Sequence, residues 1–194
     1  MKNTIKNLMM ALLFMVVING KAADGVDLKV NDQQSLVVEV KKVETGSVLS
    51  LINSNGEVLY KDRFLNEKNF SKVIDFKTLP DGKYLLIMDK EFIKSTSVII
   101  KKDDLVNIIH ESYSTIFKPC LKIKKDQVSF YLVNPSEKYI EVEIFDKQGE
   151  TVGNLKSRDS VVKKTFDFSR VNPGDYTFKI YTKAEKFTET ITII

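Results

Sequence analysis

The chain states one pattern twice. Leu28-Lys29-Val30 returns as Leu121-Lys122-Ile123, and Asn55-Gly56-Glu57 returns as Gln148-Gly149-Glu150. Asp75-Phe76 followed by Leu79-Pro80-Asp81-Gly82-Lys83-Tyr84 returns as Asp167-Phe168 followed by Val171-Asn172-Pro173-Gly174-Asp175-Tyr176. From Leu28 to Leu121, Asn55 to Gln148 and Asp75 to Asp167 the offsets are 93, 93 and 92 positions, so the register survives with one indel. Self-similarity on this scale means two divergent copies of one small domain, each of which must bury its own core.

Within each copy the apolar period is two. Tyr176, Phe178 and Ile180 alternate with Thr177, Lys179 and Tyr181; Ile140, Val142 and Ile144 alternate with Glu141, Glu143 and Phe145. Such alternation marks strands with one face in a core. Asn53-Ser54-Asn55-Gly56 and Asp146-Lys147-Gln148-Gly149 supply turn chemistry, as do Pro80-Asp81-Gly82 and Asn172-Pro173-Gly174 one hairpin later. The runs predict strands at 27–31, 35–42, 47–53, 57–63, 71–76, 83–89 and 92–101, then at 120–124, 127–133, 139–145, 150–155, 162–168, 175–182 and 186–193. Short strands broken by regular turns point to an all-β chain of two tandem immunoglobulin-like (fibronectin-III-like) antiparallel β-sandwiches, at 25–102 and 120–194. Between them, 103–119 is too apolar for a free linker. Leu105, Ile108, Ile109, Tyr113, Ile116 and Phe117 recur at spacings that suit one side of a short helix capped by Asp103 or Asp104, while the β-branched Val106, Ile108 and Ile109 also suit an extended piece. Either form is expected to dock.

Residues 1–22 read as a signal peptide. Lys2 and Lys6 precede an apolar run from Leu8 to Ile18, and small residues follow at Gly20, Ala22 and Ala23. Eleven apolar residues span about half of a bilayer's hydrocarbon core, so no transmembrane anchor is expected after cleavage. Cleavage after Ala22 takes Lys2, Lys6 and Lys21 with it, turning 30 basic against 26 acidic residues into 27 against 26. Interspersed, nearly balanced charge gives no footprint for nucleic acid. Cys120 is the one cysteine, so no disulfide can form within the chain; it reads as a small buried side chain, or as a partner for an intermolecular disulfide. The one histidine, His110, reads as a solvated linker residue, and the residue spacing offers neither a metal site nor a cofactor site.

The paired elements carry a resemblance. Ile52-Asn53-Ser54-Asn55-Gly56-Glu57-Val58, then Ile74-Asp75-Phe76 and Leu79-Pro80-Asp81-Gly82-Lys83-Tyr84, resemble the C-terminal sorting domains of the Bacteroidota type IX secretion system. Phe145-Asp146-Lys147-Gln148-Gly149-Glu150, then Phe166-Asp167-Phe168 and Pro173-Gly174-Asp175-Tyr176, resemble them again. The resemblance implies immunoglobulin-like sandwiches in an exported protein, placed in the periplasm, at the cell surface or outside the cell.

Where the copies differ, a surface emerges. Glu141, Thr177, Lys179 and Thr192 read as outward positions of the second copy; the offset pairs them with Val48, Leu85, Ile87 and Ile99 of the first. With Leu105 and Ile109 these four residues are the candidate interface, since contiguous apolar surface usually marks a contact. Its cover is expected to be the 103–119 segment, the second copy, a second chain, or an external protein or cell-surface partner. An isolated first copy should then aggregate or bind a hydrophobic dye. Catalytic motifs are missing: there is no Gly-x-Ser-x-Gly, His-Glu-x-x-His or phosphate-binding glycine loop. The expected function is therefore an exported, non-enzymatic binding, adhesion or structural module of the bacterial envelope. The alternative is a type IX secretion cargo whose second copy acts as the sorting domain.

Overall fold

The computed structural model describes residues 25–31, 34–66 and 68–194. The expected signal peptide at 1–22 lies outside the described residues. Among the described residues fifteen strands form two units: β1 (Val26–Val30), β2 (Ser35–Val43), β3 (Val48–Asn53), β4 (Val58–Arg63), β5 (Lys68–Asp75), β6 (Gly82–Asp89), β7 (Ile93–Lys102) and β8 (Leu105–Phe117), then β9 (Cys120–Lys124), β10 (Gln127–Val133), β11 (Ile140–Phe145), β12 (Thr151–Ser157), β13 (Val161–Asp167), β14 (Gly174–Tyr181) and β15 (Lys186–Ile193). In the first unit a β1-β2-β5 sheet lies with a β4-β3-β6-β7-β8 sheet; in the second, β9-β10-β13 lies with β12-β11-β14-β15. All pairings are antiparallel. The chain is all-β, two immunoglobulin-like sandwiches in tandem, with β9 to β15 repeating β1 to β7.

Alternation builds two separate cores. Leu36, Val38, Leu49, Leu51, Phe76, Tyr84 and Leu86 fill the first. Val128, Phe130, Val142, Ile144, Phe168, Tyr176 and Phe178 fill the second. Each fully buried Phe or Leu contributes about 1.5–3 kcal/mol through removal of its surface from water. In place of a disulfide and tryptophan, each core has an edge-to-face aromatic pair: Phe76 with Tyr84 at 5.3 Å between ring centroids, and Phe168 with Tyr176 at 5.0 Å.

The repeated words prove to be the corners of the sandwich. The Asn53 Oδ1 accepts from the N–H groups of Asn55 (3.0 Å) and Glu57 (2.9 Å), and the Asp146 Oδ1 accepts from those of Gln148 (3.0 Å) and Glu150 (2.8 Å). Gly56 and Gly149 then take φ of 83° and 86°, where a side chain would be strained. At the next corner the hydroxyl of Tyr84 donates to the carbonyl of Pro80, and that of Tyr176 donates to Asn172 O at 2.6 Å. This is the tyrosine corner found in immunoglobulin-like domains, where the ring fills the core and the hydroxyl ties down the loop that crosses between sheets.

Of the two forms open to the 103–119 segment, the structure has the extended one and not the helix: Leu105–Phe117 is the thirteen-residue strand β8, hydrogen-bonded along β7. Lys102 faces Leu105, so Asp103-Asp104 is a two-residue hairpin loop, with φ of 47° and 63°. Positive φ at both residues is the geometry of a type I′ turn, which aspartate tolerates. A wide bulge interrupts β8, because Val98 faces Ile109 while Thr96 already faces Ser114. The Ser112 hydroxyl fills the gap, donating to Ile109 O at 2.5 Å and accepting from Val98 N at 3.3 Å. His110 lies exposed in that bulge.

The link between the units is Lys118-Pro119. Lys118 donates its backbone N–H to Phe92 O (2.9 Å) and its ammonium to Lys90 O (2.7 Å), and pairs with the Asp89 carboxylate. Phe117 packs against the second core, and Lys94 of β7 meets Glu185 across the joint at 3.1 Å.

Candidate functional site

The register of the first unit's larger sheet sorts its residues onto two faces. Leu49, Leu51, Tyr84, Leu86, Met88 and Ile99 point inward. On the outer face Val58 pairs with Ile52, Ile52 with Leu85, Leu85 with Val98, and Val98 with Ile109. One apolar row therefore crosses all five strands, about 19 Å from end to end at the usual strand spacing. Ile87 adjoins it on one side and Ile100 on the other; Val48 lies further along β3, and Leu105 at the start of β8. The central side chains are half-buried by one another, while Val58 and Leu105 at the margins are 52% and 63% exposed.

Ile99 does not belong to this face. It faces Tyr84 and is fully buried in the first core. Tyr176 correspondingly faces Ile191, so Ile99 matches Ile191 at an offset of 92 and not Thr192 at 93. A one-residue slip moves a strand residue to the opposite face. Val98 was missed for the same reason, and carrying the 92-residue offset past the indel would have found it. Ile52 gave no contrast between the copies, because its counterpart Phe145 is apolar too, and Val58 joins the row only through its pairing with Ile52. Leu105 and Ile109 do reach this face, because β8 extends the sheet sideways and leaves the face uncovered.

The equivalent row in the second unit is Thr151, Phe145, Thr177 and Thr190. Around it the charges are paired. Lys179 lies 4.4 Å over the Phe145 ring, Lys186 lies 5.4 Å over Tyr181, and Lys156 meets Glu141 at 3.0 Å. Hydrogen bonds to Glu141, then to Tyr139, hold the Lys156 ammonium above its ordinary pKa. Partial burial, then the Glu143 hydrogen bond, raises that of the Tyr181 hydroxyl. This is a solvated, self-satisfied face.

Elsewhere a cavity of about 410 Å³ lies between the end of β8 and the second unit, lined by Ile116, Phe117, Leu132, Asn134 and Thr182 among others. Two of its polar side chains are already engaged: the Asn134 amide donates to Lys138 O (2.9 Å) and Asp159 O (3.0 Å), and the Thr182 hydroxyl donates to Glu185 O (2.8 Å). Cys120 is half-buried on β9, and it is its neighbour Leu121 that turns to the core. Among the described residues no three His, Cys, Asp or Glu side chains converge as metal ligands would.

Comparison with protein families matches residues 124–194 to the secretion system C-terminal sorting domain. The second unit is a sorting domain. The matched segment starts at the last residue of β9 and takes in all of β10 to β15, so the match coincides with one folded sandwich. Carrying a sorting domain makes the chain a secreted protein, delivered to the cell surface or beyond it. No curated protein matches the chain. Among solved structures it is similar to a biofilm-associated protein BSP domain (14% identity, TM-score 0.31, covering 88% of this chain and 27% of that one). It is also similar to a β-glucuronidase from an uncultured Clostridium sp. (12% identity, TM-score 0.29, covering 90% and 38%). A third likeness is to the human OSCAR ligand-binding domain (11% identity, TM-score 0.25, covering 84% and 92%). The chain spans about a quarter of the length of the first of these. At these scores the likenesses carry no functional argument.

Proposed function

We propose that this protein is a type IX secretion cargo in which the sorting domain is the element read by the export machinery and the first sandwich is the part delivered. The reading rests on one observation: the sorting-domain match falls on a sandwich with its own core, joined to the first by two residues. A domain that folds on its own can serve as a signal independent of what precedes it. The sorting domain also keeps an edge that the first unit has lost. β8 covers β7, whereas β15 has no neighbour on its outer side among the described residues.

The delivered sandwich would act as a non-catalytic binding or adhesion module at the cell surface, through the apolar row that the sorting domain lacks. Grafting residues 119–194 onto a periplasmic reporter tests the sorting half of the reading. Transfer of the reporter to the surface or the medium is expected, and a reporter left in the periplasm would overturn it.

A further inference from the structure

The outer face of the first sandwich has a charge pattern as well as an apolar row. On its outward ladder positions stand Lys61 and Arg63 of β4, Lys83 of β6, and Lys94 and Lys102 of β7; the one acid in these positions is Asp89. Asp89 is engaged by Lys118, and Lys94 by Glu185. Lys61, Arg63, Lys83 and Lys102 are exposed and enter no ion pair among the described residues. Of the acids at the loop end, Asp81 accepts from the backbone N–H of Asp103 at 3.0 Å and Asp104 lies 4.0 Å from Lys101, while the carboxylates of Asp103 and, at the β8 bulge, Glu111 enter no ion pair among the described residues. The face is thus an aliphatic band with unpaired cations on both sides, in a protein whose overall charge is close to balanced.

From this we infer that the face docks on an anionic lipid surface, aliphatic row inward and cations toward the headgroup phosphates; the inference goes beyond the sorting reading and does not depend on it. Three features select this occupant. A second copy placed face to face would set Lys61, Arg63, Lys83 and Lys102 against their own kind, and like charges across a contact are repulsive. The chain's own apolar run at Leu8–Ile18 comes with Lys2, Lys6 and Lys21, again of the same sign. Protein interfaces are depleted in lysine and anchored by aromatic residues, whereas this row has no aromatic member and three of its four unpaired cations are lysines. Aliphatic side chains ringed by Lys and Arg are the composition of surfaces that lie on anionic membranes, where each cation adds to the attraction and salt weakens it. The sorting domain supplies the internal control, since the corresponding row there carries three threonines and its cations are already paired.

The test uses the exported protein with vesicles of phosphatidylcholine alone and of phosphatidylcholine with about one-third phosphatidylglycerol, in a co-sedimentation assay at low and high salt. Binding to the anionic vesicles alone, weakened by salt, is expected. Leu85→Thr with Ile87→Lys, which installs the residues of the sorting domain, should lower the affinity about tenfold or more, as should Lys61→Glu with Arg63→Glu. Lys156→Glu on the sorting domain should leave it unchanged. Both exposed-face variants should keep the wild-type circular dichroism and melting behaviour, which separates lost binding from lost folding. Absence of binding to anionic vesicles would overturn the inference. So would equal binding by all variants, or a dimer in sedimentation velocity that Leu85→Thr with Ile87→Lys abolishes.

Discussion

Four side chains carry residue-scale roles of three kinds. Tyr84 and Tyr176 each bury a ring and tie a hydroxyl to the preceding corner, so Tyr84→Phe and Tyr176→Phe should each cost about 1 kcal/mol in chemical denaturation while leaving the fold intact. An unchanged midpoint in either would remove the tyrosine corner from the account. Lys101 is the more unusual residue. Its side chain is 5% exposed, and its ammonium donates to the carbonyls of Leu79 (2.6 Å) and Lys77 (3.2 Å). Lys101→Met should cost about 1–3 kcal/mol, because those carbonyls would lose their donor. At the equivalent place the sorting domain has Ile193. Asp167 supplies the pH dependence. Its carboxylate accepts from Ser169 N at 2.9 Å, and that backbone bond is the main cause of its lowered pKa. A folded-state pKa below the unfolded one stabilises above the ordinary aspartate value of about 3.9 and ceases to do so as pH falls through the folded value. Asp167→Asn should therefore be less stable than wild type at neutral pH and converge with it in acid; a gap that persists in acid would contradict this.

At the scale of elements, what the sequence made legible was whatever depends on local alternation and turn chemistry. The fourteen repeated strands could be read because Asn53-to-Glu57 and Asp146-to-Glu150 build the same side-chain-capped turn and because each tyrosine-led strand alternates cleanly. β8 could not be read with the same ease. Its apolar spacing fits a helix as well as a strand, and the bulge at residues 110–113 breaks its alternation. Aspartates suit a helix cap and a type I′ turn equally well, and only pairing with β7 decides between them. Ile99 was misplaced for a different reason: face assignment in a strand has period two, so an indel of one residue is enough to reverse it. The turn gives the prediction that belongs here. Asp103→Asn with Asp104→Gly, the sequence this turn type prefers, should raise the melting temperature of the protein, and Asp104→Val should lower it. No change in either direction would mean that residues 103–104 do not form this turn.

The whole molecule is two versions of one sandwich that have been put to different uses. The sorting domain keeps a polar outer face and an uncovered edge strand. The first sandwich covers the same edge with β8 and presents an apolar, basic-rimmed face. The joint between them is short, with Lys118 bonded back to the first unit and Phe117 packed on the second. The Lys94–Glu185 pair across it is partly exposed, so Glu185→Ala should cost less than about 1 kcal/mol, and a larger loss in thermal unfolding would show that the two units fold as one. The central claim is the division of labour, and fractionation of two deletions in the native host tests it most directly. Removing residues 120–194 should leave the first sandwich folded in the periplasm, while removing residues 25–117 should leave the remainder able to reach the surface or the medium. Surface delivery of the chain that lacks 120–194 would contradict the account.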